Sequence, residues 1–257
     1  MKRIQALYTL FLLLGLITGA WCQAATPVPK APAVGAKSYL LQDFHSGQSI
    51  AAKDADQPME PASITKLMTA YVVFTEIRNG SLALSDKVRI SEKAWRTQGS
   101  RMFVEVNTLV NVADLLKGVI IQSGNDATVA LAEHIAGTEA SFAALMNHHA
   151  KELGLTNSNF TNSTGLPDKE HYTTAHDIAI IAHALIDEFP EYYQWYSERE
   201  FTYNDIRQQN RNELLWRDTN VDGIKTGHTS AAGYCLVASA KRDGMRLISV
   251  VMGTDSE

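Results

Sequence analysis

A chain of 257 residues with 45% hydrophobic, 20% charged and 8% aromatic side chains has the make-up of a globular protein, which excludes disordered, collagen-like and polytopic membrane classes. Lys and Arg number 23 against 28 Asp and Glu, a formal net charge of −5 with no polybasic run, which argues against nucleic acid as a partner. Two cysteines are too few for a disulfide scaffold.

Lys2 and Arg3 precede an apolar run from Leu10 to Ile17, and small residues close the segment around Cys22-Gln23-Ala24. A charged start, a short apolar core and a small-residue exit predict a secretory signal peptide over 1–24. The run is shorter than the roughly 20 apolar residues that span a bilayer. Trp21, directly before Cys22, argues against lipidation. Cleavage after Ala24 removes Lys2 and Arg3, so the exported chain is more acidic still. It also removes Cys22 and leaves Cys235 without an internal disulfide partner. Residues 25–36 hold three prolines and no periodicity, which predicts a linker, with the remaining domain over 37–257.

Ser38 to Asp43 and Ser49 to Lys53 read as strands joined by the turn cluster His45-Ser46-Gly47-Gln48. From Ser63 to about Ile77, Ile64, Leu67, Met68, Tyr71 and Val72 recur at helical spacing, and Asn79-Gly80 supplies a stop. Helical patterns also cover roughly 111–121, 126–136, 139–153 and 175–188. Gly137 and Gly154 sit just past two of these ends, where a left-handed residue is wanted. The stripe Ile178, Ile181, Ala182 and Leu185 reads as core. Tyr234 to Ser239 and Arg246 to Val251 flank Asp243-Gly244, a strong hairpin signal. Strands at both ends and helices between them predict an α/β (α+β) fold. In it the terminal strands make one antiparallel sheet, and the central helices form a mostly helical subdomain against it.

Three short motifs carry chemistry. Ser63-Ile64-Thr65-Lys66 is an S-x-x-K element at the start of the first long helical pattern, where spacing i, i+3 makes the two side chains neighbours. A serine hydroxyl needs a base to take its proton, and a lysine held neutral supplies one. A helix N-terminus favours the neutral amine and a nearby oxyanion. Ser123-Gly124-Asn125 lies at a helix–helix junction. It reads either as a capping turn or as a hydroxyl that relays a proton beside an amide that orients the lysine. Lys225-Thr226-Gly227 leads into the last hairpin. Its lysine and threonine offer a cation and a hydroxyl to a carboxylate, and Gly227 would let a ligand backbone approach the strand edge. Each occurs once, and their order lets all three line one cleft between sheet and helices.

With these residues the sequence resembles the low-molecular-mass penicillin-binding D-alanyl-D-alanine carboxypeptidases, the group similar to penicillin-binding proteins 5 and 6. The matching stretches are PASITKLMTAYV (61–72), QSGNDATVALA (122–132), NRNELLW (210–216) and VDGIKTGHTSAAGYCLVASA (221–240). The resemblance implies a β-lactamase/transpeptidase-like fold and a periplasmic serine hydrolase with no cofactor or metal. Its substrates would be peptidoglycan stem peptides ending in D-Ala-D-Ala, and β-lactams would acylate it. Ser63 would be the nucleophile and Lys66 the general base. Ser123 would pass a proton to the leaving amine, with Asn125 orienting Lys66. Lys225 and Thr226, aided by Arg211, would bind the terminal carboxylate. The backbone N–H groups of Ser63 and His228 would form the oxyanion hole, and His228 after K-T-G is typical of the carboxypeptidase subgroup.

The same residues would serve a D,D-endopeptidase on crosslinks. A catalytically silent peptidoglycan-binding module is the reading of another class, and the intact nucleophile and base argue against it. His134, His148, His149, His176 and His183 lie in helical patterns without zinc-enzyme spacing. Thr97-Gln98-Gly99-Ser100 reads as a loop over the site. No E-x-x-L-N element is evident, so a β-lactamase is a poor reading and slow release of penicilloyl enzyme is predicted. Family members usually continue into a closing helix, a β-rich domain and an amphipathic anchor helix. The expectation from the stop at Glu257 is a catalytic domain cut short, with peripheral inner-membrane association left to the missing part.

Overall fold

The computed structural model describes residues 33–255. The predicted signal peptide and most of the predicted linker lie outside the described residues. Among the described residues, no helix is long and apolar enough to cross a membrane.

Five strands form one antiparallel sheet in the order β2-β1-β9-β8-β7. They are β1 (Ser38–Asp43), β2 (Ser49–Lys53), β7 (Val221–Thr229), β8 (Gly233–Arg242) and β9 (Met245–Thr254). The first and last strands meet as predicted, with Leu40 opposite Val250. Asp243 and Gly244 turn β8 into β9 with φ of 50° and 82°, the paired left-handed residues a two-residue hairpin needs. Cys235, Val237 and Ser239 alternate inward on β8, as Ile248, Val250 and Met252 do on β9. One face of the sheet therefore meets the core.

Helix α1 (Lys66–Arg78) follows a 3-10 turn at Ala62–Thr65. Its residues from Lys66 to Thr75 are all buried, because the helix runs through the centre of the domain rather than along its surface. Helix α6 (Ala175–Glu188) lies between α1 and the sheet. Its stripe Ile178, Ile181, Ala182 and Leu185 is fully buried, and Thr174 caps it by accepting from Asp177 N–H. Helix α1 also packs against a π turn (Gly118–Gln122), α4 (Asn125–Ala136) and α5 (Glu139–Glu152), and α3 (Val112–Lys117) packs against the π turn and α4. Gly137 and Gly154 close α4 and α5 with φ of 75° and 81°.

Two small antiparallel strand pairs escape the sequence pattern: β3 (Lys87–Arg89) with β4 (Leu109–Asn111), and the hairpin of β5 (Glu200–Tyr203) with β6 (Ile206–Gln209). Short helices α2 (Glu92–Arg96), α7 (Pro190–Tyr193) and α8 (Leu214–Arg217) complete the described elements.

Candidate active site

The S-x-x-K element does not lie within one α-helix as its spacing predicts. Ser63 sits in the 3-10 turn and Lys66 is the first residue of α1. In a 3-10 turn residues i and i+3 eclipse, and Lys66 Nζ comes 3.0 Å from Ser63 Oγ. The lysine side chain is 1% exposed. Its amine reaches two further oxygens, Asn125 Oδ1 at 2.7 Å and the Thr164 carbonyl at 2.8 Å. Burial first, and the neighbouring charge of Lys225 second, hold its pKa well below the ordinary lysine range.

In the neutral form of the amine its two protons would match the two carbonyl-type acceptors, and the lone pair would face the third neighbour, the Ser63 hydroxyl. Asn125 is fixed to present its oxygen. Its Nδ2 donates to Gln98 O at 2.6 Å, and its backbone N–H donates to Ser100 O at 2.7 Å. The loop 97–100 thus backs the amide as well as reaching the cleft. Gly99, at φ 92°, has no room for a side chain, since a Cβ there would lie 2.5 Å from Asn125 Nδ2.

The trio forms a capping junction between two helical elements, as one of the two sequence readings has it. Ser123, with a left-handed backbone (φ 63°, ψ 33°), is the C-cap of the π turn, and Gly124 takes the N-cap position of α4 without a side-chain bond. A left-handed non-glycine residue carries local strain, and Ser123 Oγ is buried with no hydrogen-bond partner among the described residues. Next to it, Asp126 is fully buried and accepts the backbone N–H groups of Met102, Phe103 and Val104. This carboxylate ties the segment after the 97–100 loop to α4.

Strand β7 is a sheet edge, and its free side meets the 3-10 turn. A Cβ on Gly227 would lie 3.0 Å from Ser63 N and 3.1 Å from both Ile64 N and Pro61 O. The glycine therefore makes room for the protein's own Ser63 turn, not for a ligand backbone as the sequence suggests. Lys225 is 2% exposed, and its amine donates to Thr226 O at 3.1 Å. Burial, then the Arg211 guanidinium, bring its pKa down to about 7. His228 is exposed and stacks on Tyr234, its register partner on β8, with centroids 4.1 Å apart. Ser63, Ser100, Ser123, Arg211, Thr226 and His228 line one cleft of ≈ 820 Å³. All the predicted site residues are thus brought together, with Lys66, Asn125 and Lys225 buried behind its wall.

The sequence of residues 25–256 matches the family described as D-alanyl-D-alanine carboxypeptidase. The chain belongs to that family. It is 52% identical over 227 residues to the D-alanyl-D-alanine carboxypeptidase DacA of Haemophilus influenzae, covering 86% of this chain and 58% of the relative. It is 48% identical over 241 residues to the DacC enzyme of Escherichia coli, covering 91% and 60%. The chain spans about three fifths of the length of these curated relatives. Among solved structures, penicillin-binding protein 5 from Haemophilus influenzae superposes with a TM-score of 0.86 at 51% identity, covering 88% of this chain and 67% of that one. Penicillin-binding protein D2 of Listeria monocytogenes, solved in its ampicillin-bound form, superposes at 0.80 with 29% identity, covering 88% and 93%. The fold is thus that of the penicillin-binding and D,D-transpeptidase proteins, as the motifs implied.

Several groups of this carboxypeptidase-family site carry no motif. Thr164 contributes only its carbonyl, from a segment without periodicity. Asn210 displays Arg211: its Nδ2 donates to Tyr196 O and Glu198 O, while its Oδ1 accepts from Asn212 N–H. The asparagines flanking Arg211 in NRNELLW were the available signal. His171, absent from the histidines weighed above, is buried behind the nucleophile turn.

Proposed function

We propose that this chain is a serine-type D-alanyl-D-alanine carboxypeptidase that removes the terminal D-alanine of peptidoglycan stem peptides through an acyl-enzyme on Ser63. The observation that carries the reading is the Lys66 amine: buried, its pKa pushed well below the ordinary lysine range, and 3.0 Å from Ser63 Oγ with two carbonyl-type acceptors for the protons of its neutral form. Ser63 Oγ attacks the carbonyl of the penultimate D-alanine as Lys66 takes its proton. The negative charge that develops on that oxygen is met by the backbone N–H groups of Ser63 and His228, across the close Gly227 contact. The proton passes from Lys66 through Ser123 to the leaving amine, the C–N bond breaks and D-alanine departs. Water then releases the shortened peptide from Ser63.

Thr226, Gly227 and Arg211, with the Lys225 charge behind them, form the seat for the substrate's terminal carboxylate. A β-lactam carries a carboxylate and an acylating carbonyl in a comparable relation and would enter the same way, and the ampicillin-bound Listeria relative supports this. The pattern of residues 1–24 supports a signal peptide and delivery to the periplasm, ahead of a 25–36 linker and a catalytic domain over 37–257.

The test is covalent labelling. Incubation with penicillin should raise the protein's mass by that of the drug, and Ser63→Ala should abolish both labelling and D-alanine release from a pentapeptide mimic. Labelling that persists in the variant would refute the assignment of the nucleophile.

A further inference from the structure

The Thr164 carbonyl takes one of the two protons of neutral Lys66, yet it belongs to the irregular segment between α5 and α6. The segment is held from several sides. Gly165 packs so closely that a Cβ would lie 1.8 Å from Ala62 O. Asn162 Oδ1 accepts from the N–H groups of Thr164 and Gly165, and Ser163 Oγ donates to Glu139. One further tie runs directly to the catalytic turn. His171 is 2% exposed and bridges Thr161, at the start of the segment, to Thr65, the residue before Lys66.

The direction of these bonds is fixed by their partners. Thr161 donates its backbone N–H to Nδ1 at 3.0 Å, so Nδ1 carries no proton. Nε2 then bears the proton of the neutral ring and donates it to Thr65 Oγ1 at 2.8 Å. Burial agrees with a neutral ring: it lowers the His171 pKa to about 4, against a small opposing pull from Asp168. Phe160 closes one side of the imidazole edge-on at 5.8 Å. Lys66 is therefore clamped twice to one segment, through its own amine to Thr164 and through its neighbour Thr65 to His171.

We infer that His171 is a positioning residue for acyl transfer: by locking the 161–165 segment to Thr65, it sets the Thr164 carbonyl against Lys66 and so aims the lysine lone pair at Ser63. This rests on the proposed serine acyl-transfer function. It places a residue without any motif in the machinery of the base.

The experiment separates acylation rate from binding, using fluorescent penicillin and a series of variants. His171→Asn keeps an acceptor for Thr161 but loses the donor to Thr65. His171→Gln keeps a donor for Thr65 but loses the acceptor. Each should lower the acylation rate constant tenfold or more, since misplacement of about 1 Å can cost ~100-fold, while the non-covalent dissociation constant stays near that of the parent. Thr65→Val should lower the rate similarly, and Thr65→Ser, which keeps the oxygen, should restore it. Titrating the fraction of molecules acylated at long times accounts for any loss of folded protein.

An unchanged rate constant in both histidine variants would overturn the inference, as would a loss wholly explained by a smaller active fraction. Failure of the parent protein to be acylated at all would instead refute the underlying function, and this inference with it.

Discussion

A Cβ on Gly227 would stand 3.0 Å from the backbone nitrogen of Ser63. Strand β7 and the nucleophile turn are therefore in contact through backbone atoms with nothing between them. Their spacing sets how far the two proposed oxyanion donors, Ser63 N–H and His228 N–H, stand apart. Gly227→Ala puts a methyl group against three backbone atoms, none of which belongs to a flexible side chain. Overpacking of this kind costs about 1–3 kcal/mol. Acylation by penicillin should slow about 100-fold or more as the donors are pushed apart, measured as a second-order rate constant on the fraction that remains folded.

Asn125 offers a test of the lysine base through pH. Its Oδ1 accepts from Lys66 and its Nδ2 is committed to Gln98 O. Asn125→Asp places a carboxylate against the amine, which favours the ammonium form and raises the Lys66 pKa. If Lys66 must be neutral to act, the rising limb of the rate–pH profile moves to higher pH. At neutral pH the variant is slow, and part of kcat, read at saturating substrate so that weaker carboxylate binding does not enter, returns on going to pH 9. A profile that stays in place and merely falls in height would count against a lysine base.

Both buried lysines are lowered chiefly by burial. The charge of Lys225 lowers Lys66 further, and burial together with the Arg211 guanidinium brings Lys225 down to about 7. On the proposed mechanism Lys66 acts without its proton, so activity should rise with pH as its lowered pKa is passed. Lys225 acts with its proton, so carboxylate binding should weaken above about pH 7. The kcat/KM of the parent should be bell-shaped, because it reports the free enzyme. Lys225→Gln removes the second charge, should raise KM, and should shift the rising limb upward by relieving Lys66.

The sequence made the scaffold legible where local and global signals agree. Helix α6 is legible at its observed bounds from the amphipathic stripe Ile178, Ile181, Ala182 and Leu185, and the Thr174 cap that starts it is a finding of the structure. The β8–β9 hairpin followed from Asp243-Gly244. The hairpin β5–β6 was missed because each strand has only four residues and its turn is Asn204-Asp205 rather than Asn-Gly. Both turn residues nonetheless hold positive φ, at 46° and 60°. At the site, side-chain chemistry was readable and backbone chemistry was not. Ser63, Lys66, Asn125 and Thr226 belong to motifs whose chemistry is legible in the side-chain types themselves. Thr164 offers a carbonyl that any residue would offer, and the left-handed placement of Ser123 depends on a π turn that periodicity does not signal. Gly227 was read as open to a ligand because its true neighbour lies 164 positions earlier in the chain.

His171 predicts how stability responds to acid. Its folded pKa of about 4 lies below the unfolded value of 6.5. The unfolded chain therefore binds the proton first as pH falls. A group shifted down in this way leaves stability intact above the unfolded value, erodes it between about 6.5 and 4, and adds nothing more below. At 1.36 kcal/mol per unit of pKa, the full loss is about 3 kcal/mol. Carboxylates also begin to titrate at the lower end of this window, so the informative comparison is with His171→Asn, which has no group titrating there. Denaturant melts at intervals from pH 7 to pH 4 should show the parent losing stability more steeply than the variant, the gap between them narrowing by about 3 kcal/mol. Parallel curves would mean that the imidazole is protonated as easily in the folded protein as in the unfolded chain, and the neutral bridge from Thr161 to Thr65 would then be wrong.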